Sequence, residues 1–278
     1  MFNGRALLIA TKHQKDQVIS PVFEKELGVN CFVNPNFDTD ELGTFTGEIE
    51  RKADALTTVK NKCLLGLKLT QGDLAIASEG SFGPHPSIFI AHANEELLFF
   101  IDKKNNLEIT ARELSLETNF SGSEINSEKK LKEFAHHAKF PDHGLIIRQS
   151  QNDYINIKKG ITDWETLLKE FYFFSKKNES VYVETDMRAM FNPTRMKVIE
   201  KVTHKLVAKI KSCCPQCNTP GFSITDVKGG LPCVLCASPT RSTLSYIYTC
   251  QKCNFNKEEK YPHGKFKEEP MYCDSCNP

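Results

Sequence analysis

Short apolar runs alternate with amphipathic stretches along the first 210 residues. Ala6-Leu7-Leu8-Ile9-Ala10 sits between polar flanks, so residues 5–10 read as a buried strand. Thr11 to Lys15 follow as a polar loop. Val18, Val22, Phe23 and Leu27 recur at helical spacing, and Gly28 supplies a C-terminal stop. Residues 29–33 read as a second strand and 34–46 as a loop. Ala53, Leu56, Val59, Cys63 and Leu64 predict a helix over about 47–67, with Thr46 as its cap. A strand over 73–77 runs into Ser78-Glu79-Gly80-Ser81-Phe82-Gly83-Pro84. Residues 88–91 and 97–101 read as paired strands, and 107–117 extend the sheet.

The alternation continues beyond that point. Residues 127–138 form a polar helix, and 144–148 and 154–157 short strands. Thr162 and Glu165 have capping-box spacing. They open a helix striped by Trp164, Leu167, Leu168, Phe171 and Phe174. Residues 180–183 are a strand. Asn192 suits a cap and Pro193 the first turn of a helix striped by Ile199, Val202, Leu206 and Ile210. Strands alternating with helices predict an α/β domain over 1–211, a mixed sheet flanked by helices.

The composition of 40% hydrophobic and 26% charged residues is that of a globular chain. A net charge of +1 excludes a supercharged nucleic-acid binder. No apolar run approaches the roughly 18 residues that span a bilayer, and the N-terminus lacks a secretory pattern. A cytoplasmic location is expected.

Cysteine changes the picture. Eight of the 11 cysteines form four Cys-x-x-Cys pairs: Cys214/Cys217, Cys233/Cys236, Cys250/Cys253 and Cys273/Cys276. Such pairs in a chain expected in the cytosol point to metal. Eight thiolates fill two closed tetrahedral Cys₄ shells, the chemistry of structural Zn²⁺. Residues 212–278 are therefore predicted as a small double zinc-ribbon domain holding two zinc ions. The expected pairing is nested: Cys233/Cys236 with Cys250/Cys253, and the outer pairs together. Sequential and alternating pairings stay open. Cys213 is a spare. Seven Lys/Arg against six Asp/Glu from Cys213 onward, with roughly −2 on each loaded site, leave this tail net negative. That argues against nucleic acid and for a structural role or a protein partner.

Three polar clusters follow strands, where α/β proteins place ligands. Thr11 and Lys15 lie at a helix start, which favours phosphate. Glu79 lies at a strand end in a glycine-rich loop, suited to a metal ion or phosphate. Glu184 and Asp186 share one side of an extended chain, with Arg188 and Arg195 nearby in sequence. A solvated helix start, a tight turn and an internal salt-bridge network are the respective plainer readings.

The segment Thr44-Phe45-Thr46-Gly47-Glu48-Ile49-Glu50-Arg51-Lys52-Ala53, with Leu74 to Gly80, resembles the inosine/xanthosine triphosphate pyrophosphatase superfamily. Gly47, Arg51, Glu79 and Gly80 match its motifs; Glu50 and Ser81 depart from them. Thr11 and Lys15 match its first loop, without that loop's asparagine. The resemblance covers about the first 90 residues. It implies a nucleoside triphosphate-like substrate and a catalytic Mg²⁺ held by carboxylates among Glu79, Glu184 and Asp186. Thr11, Lys15, Arg51, Arg188 and Arg195 would neutralise the phosphates. A membrane is not an expected partner. The chain as a whole is similar to an uncharacterised bacterial family, a domain of unknown function. The segments 78–86, 184–189 and 192–196 and the Cys-x-x-Cys tail carry that likeness, which implies no activity. A non-catalytic ligand-sensing or protein-interaction module is the alternative.

Overall fold

A run of apolar residues with both faces covered makes a central strand, and β1 (Ala6–Ala10) is one: only its first residue is exposed. The computed structural model describes residues 1–37, 54–88, 90–176 and 179–278. The chain divides into two compact units, Met1–Val207 and Ala208–Pro278.

In the first unit β1 pairs in parallel with β2 (Asn30–Phe32) and with β3 (Leu74–Pro84). The antiparallel strands β4 (His92–Asp102) and β5 (Leu107–Ser115) complete a mixed sheet of order β2-β1-β3-β4-β5. Helix α1 (Asp16–Leu27) ends where Gly28 turns left-handed, φ 67°, and donates its N–H to the Glu24 carbonyl. Helix α2 (Ala55–Thr70) lays Val59, Cys63 and Leu67 on Ala75, Ala77, Leu97 and Phe99. On the other face of β4, Phe100 stacks on Phe23 of α1 and meets the edge of Phe2.

A second sheet, of order β6-β9-β7-β8, is antiparallel throughout. Its strands are β6 (Gly122–Ile125), β7 (Leu145–Arg148), β8 (Ile157–Ile161) and β9 (Val181–Thr185). Its inner face, with Leu145, Ile147, Val181 and Val183, packs with Leu131 of α3 (Glu128–His137) and Leu167 and Phe171 of α4 (Trp164–Ser175). Helix α5 (Pro193–Lys211) starts where the Asn192 side chain accepts the Arg195 N–H at 2.9 Å.

The second unit is a meander of β10 (Ile224–Gly229), β11 (Thr243–Thr249) and β12 (Asn256–Lys260). Among the described residues, no helix is long and apolar enough to cross a membrane.

The fold is the mixed α/β arrangement expected, with several local differences. Helix α2 begins at Ala55, because Asp54 is extended and accepts the N–H groups of Leu56 and Thr57; the earlier predicted turns and Thr46 lie outside the described residues. Where the sequence predicts a strand over 88–91, the Ile88 carbonyl accepts the Ala91 N–H in a turn; residue 89 lies outside the described residues. Asp153 holds the N–H groups of Ile155 and Asn156 in a side-chain-closed turn, which delays the predicted 154–157 strand to Ile157. Asp163, not Thr162, caps α4 by accepting the Thr166 N–H.

Candidate functional site

The cysteine pairs adopt one local shape. In each, the N–H of the residue four after the first cysteine returns to that cysteine's carbonyl: Asn218 to Cys214, Ala237 to Cys233, Asn254 to Cys250 and Asn277 to Cys273. Asn218, Ala237 and Asn254 are left-handed there, a conformation asparagine tolerates well. The N–H groups of Leu235 and Lys252 point at the sulfurs of Cys233 and Cys250, both at 3.4 Å.

These turns meet in two tetrads, Cys214/Cys217/Cys250/Cys253 and Cys233/Cys236/Cys273/Cys276. Sulfur–sulfur distances are 3.7 and 3.5 Å in the first and 3.9 and 3.6 Å in the second. A tetrahedron with 2.3 Å zinc–sulfur arms has edges of about 3.8 Å. Each tetrad therefore fits one zinc ion with no ligand position left open. Cys213 belongs to neither.

The pairing alternates, so the nested expectation is corrected. Cys250 directly follows β11, whereas Cys236 lies before the turn that leads into that strand. The start of β10 lies against the end of β11, Ile224 opposite Tyr248, which brings Cys214 and Cys217 to Cys250 and Cys253. The Val234 N–H donates to the Glu268 carbonyl and fixes the chain leaving β12 beside the second pair. The remaining cysteines, Cys273 and Cys276, close that shell.

In the first unit, the parallel strands end in a buried cluster of charges. The last β1–β3 pair is Ala10 with Ala77, and β3 runs on to Pro84. Past the end of β1, Lys15 reaches over and donates to Ser78 Oγ at 2.8 Å. Both residues are buried. Glu79, on the α2 face of β3, pairs with Lys62. Gly80 has no side chain for a reason: a Cβ there would collide with Arg195 and Glu96. Arg195 Nε donates to Glu96 Oε1 at 2.7 Å, and both side chains are fully buried.

Lys15 thus lies within electrostatic reach of two ion pairs, Lys62–Glu79 on the α2 face of β3 and Arg195–Glu96 on the opposite face. Burial, then the Arg195 charge, pushes Lys15 down to about 7; Lys62 acts in the same direction, and Glu96 and Glu79 oppose it. Buried charges cost several kcal/mol apiece when unpaired, and such clusters gather at functional sites.

Of the predicted residues, Thr11, Lys15, Glu79 and Arg195 belong to this end of the sheet. Thr11 is buried, and its hydroxyl accepts the His13 N–H at 3.4 Å. Arg51 lies outside the described residues. Glu184 lies on β9 of the second sheet and Asp186 just past its end. Glu184 accepts from Arg148, which stacks 5.4 Å from each of the Tyr154 and Tyr182 rings. Burial pushes Glu184 above the usual carboxylate range against the pull of Arg148. Asp186 accepts from Arg188 and from the Gly160 N–H. Sequence reasoning missed Lys62 and Glu96, and it placed Ser78 in a candidate loop without giving it a role. Lys62 carried a signal: it lies beside Cys63 and three residues after Val59, on the helix face that packs inward.

The Lys15 burial has a measurable consequence. Unfolded, the lysine titrates near 10.5; folded, near 7. Between those values the unfolded chain binds one proton more, so stability rises with pH, by up to roughly 1.4 kcal/mol per unit. Lys15→Met should flatten this rise and stabilise the first unit below pH 7. Denaturant midpoints measured from pH 6 to 10 check it; parallel curves for the two proteins would contradict it.

A family model described as a domain of unknown function (DUF6671) matches residues 62–278. No curated protein matches the chain. Neither comparison supports the pyrophosphatase resemblance.

Proposed function

The chain belongs to the DUF6671 family, and we propose that its first unit is a phosphohydrolase acting on a nucleoside triphosphate-like substrate. One observation carries this reading: Lys15, beyond the end of β1, lies within electrostatic reach of two buried ion pairs, Lys62–Glu79 on the α2 face of β3 and Arg195–Glu96 on its other face. Lys62 would neutralise phosphate oxygens, and Arg195, held by Glu96 and the Met187 carbonyl, would add fixed positive charge. Glu79 is the carboxylate that would hold Mg²⁺, which supplies further charge neutralisation when bound. Catalysis of this kind is mostly positioning and electrostatics. The zinc tail keeps a structural role.

A protein-docking role for the tail is the second reading. Val234 and Leu235, inside one cysteine pair, and Met271 and Tyr272, beside another, are all exposed around the second tetrad.

The phosphohydrolase reading is tested by calorimetric titration of zinc-loaded protein with pyrophosphate and Mg²⁺. We expect one site per chain, at least tenfold weaker in Lys62→Met. The absence of binding would overturn the reading.

A further inference from the structure

Lys15 differs from the other two cations of the cluster in its partner. Lys62 and Arg195 are each paired with a carboxylate, whereas Lys15 donates to a hydroxyl, Ser78 Oγ at 2.8 Å. A serine hydroxyl is a weak nucleophile until a neighbouring base takes its proton. An ordinary lysine is protonated at neutral pH and cannot do so. This one is buried beside Arg195 and Lys62, with Glu96 and Glu79 opposing them, and is held near 7, so in neutral solution a large share of the amines have a free lone pair.

Placement supports the same role. Ser78 is the first residue of β3 past its last pair with β1, at the end of the parallel strands. Gly80, two residues on, presents the same face of β3. Its missing side chain lets Arg195 close onto that face beside the serine. A guanidinium there suits the charge that gathers on a group under attack.

We propose that Ser78 is a nucleophile and Lys15 its general base, and that the first unit transfers a phosphoryl group through a serine ester. The substrate class rests on the phosphohydrolase reading above; the dyad rests on the geometry. As Ser78 Oγ bonds to phosphorus, its proton passes to the Lys15 amine. The bond from phosphorus to the leaving oxygen breaks, its electron pair stays with that oxygen, and Lys15 returns the proton to it. Water then attacks the phosphoserine and gives its proton to Lys15. Ser78 Oγ leaves and takes that proton, which restores the dyad.

A fluorophosphonate probe tests the dyad without a native substrate, since serine attack on its phosphorus simply expels fluoride. Zinc-loaded protein is incubated with the probe, and the adduct is mapped by peptide mass spectrometry. We expect one adduct per chain on the peptide holding Ser78, none there in Ser78→Ala, and at least tenfold slower labelling in Lys15→Met. The labelling rate of the unaltered chain should rise with pH, with a midpoint near 7; this arm needs no variant to fold. No adduct at Ser78, labelling that ignores pH, or undiminished labelling in Lys15→Met would each overturn the dyad. Labelling at Ser78 without triphosphate hydrolysis would sustain the dyad and remove the phosphohydrolase reading. Hydrolysis that survives in Ser78→Ala would do the reverse.

Discussion

Stripping zinc from the chain should unfold the second unit and leave the first one folded. The second unit has little else to hold it. Every residue of β10 is exposed, and the cluster around its first tetrad consists largely of the cysteines themselves with Phe222, Tyr248 and Phe255. Such a core is too small to offset the conformational entropy of some 70 residues. Structural zinc contributes on the order of 10–16 kcal/mol per site in small domains, and chelation withdraws it. Trp164, the one tryptophan, lies in α4 of the first unit. Its fluorescence should stay native while the circular dichroism of the tail is lost. The alternating pairing makes a sharper forecast. Cys214→Ala and Cys250→Ala should each lose one zinc, and the double variant still only one. Cys214→Ala with Cys233→Ala should lose both. A tail that stays folded after chelation, or a Cys214/Cys250 double variant without zinc, would refute the two tetrads.

Glu79→Gln should lower turnover at least a hundredfold, about 2.7 kcal/mol of transition-state stabilisation. The change keeps the size of the side chain and removes the charge that would hold Mg²⁺. It also leaves Lys62 buried opposite a neutral amide, and breaking a buried pair costs about 3–5 kcal/mol of stability. The double variant Glu79→Gln/Lys62→Met restores the charge balance and isolates the cost in stability, although it also removes a phosphate-binding cation. Turnover at matched folded fraction is the quantity to compare. Full activity in Glu79→Gln would remove the carboxylate from the mechanism.

Much of the fold was legible where one local rule decides the outcome. The apolar run of β1 could only be a covered strand, Gly28 could turn left-handed without strain, and Asn192 with Pro193 marked the start of α5. The four cysteine pairs announced metal in the same way. What was not legible depends on long-range geometry. The zinc pairing follows from the antiparallel run of β10 and β11, which no spacing of cysteines encodes. Strand β6 has one buried residue of four, Ile125, too weak a pattern to read. Glu96 looked like any charge in a strand until its register opposite Gly80 put it against Arg195, 99 positions along the chain. Glu184 and Asp186 matched a metal-site pattern by alternation, but Glu184 lies on β9 of the second sheet and Asp186 just past its end, where Arg148 and Arg188 take them up.

The central claim is that the charges beyond the end of β1 form a phosphoryl-transfer site. Its most direct test is phosphate and pyrophosphate release by zinc-loaded protein from a panel of inosine, xanthosine and common nucleoside triphosphates, with Mg²⁺ or Mn²⁺. We expect turnover of at least one triphosphate. No release from any member of the panel by the folded, zinc-loaded chain would contradict the claim.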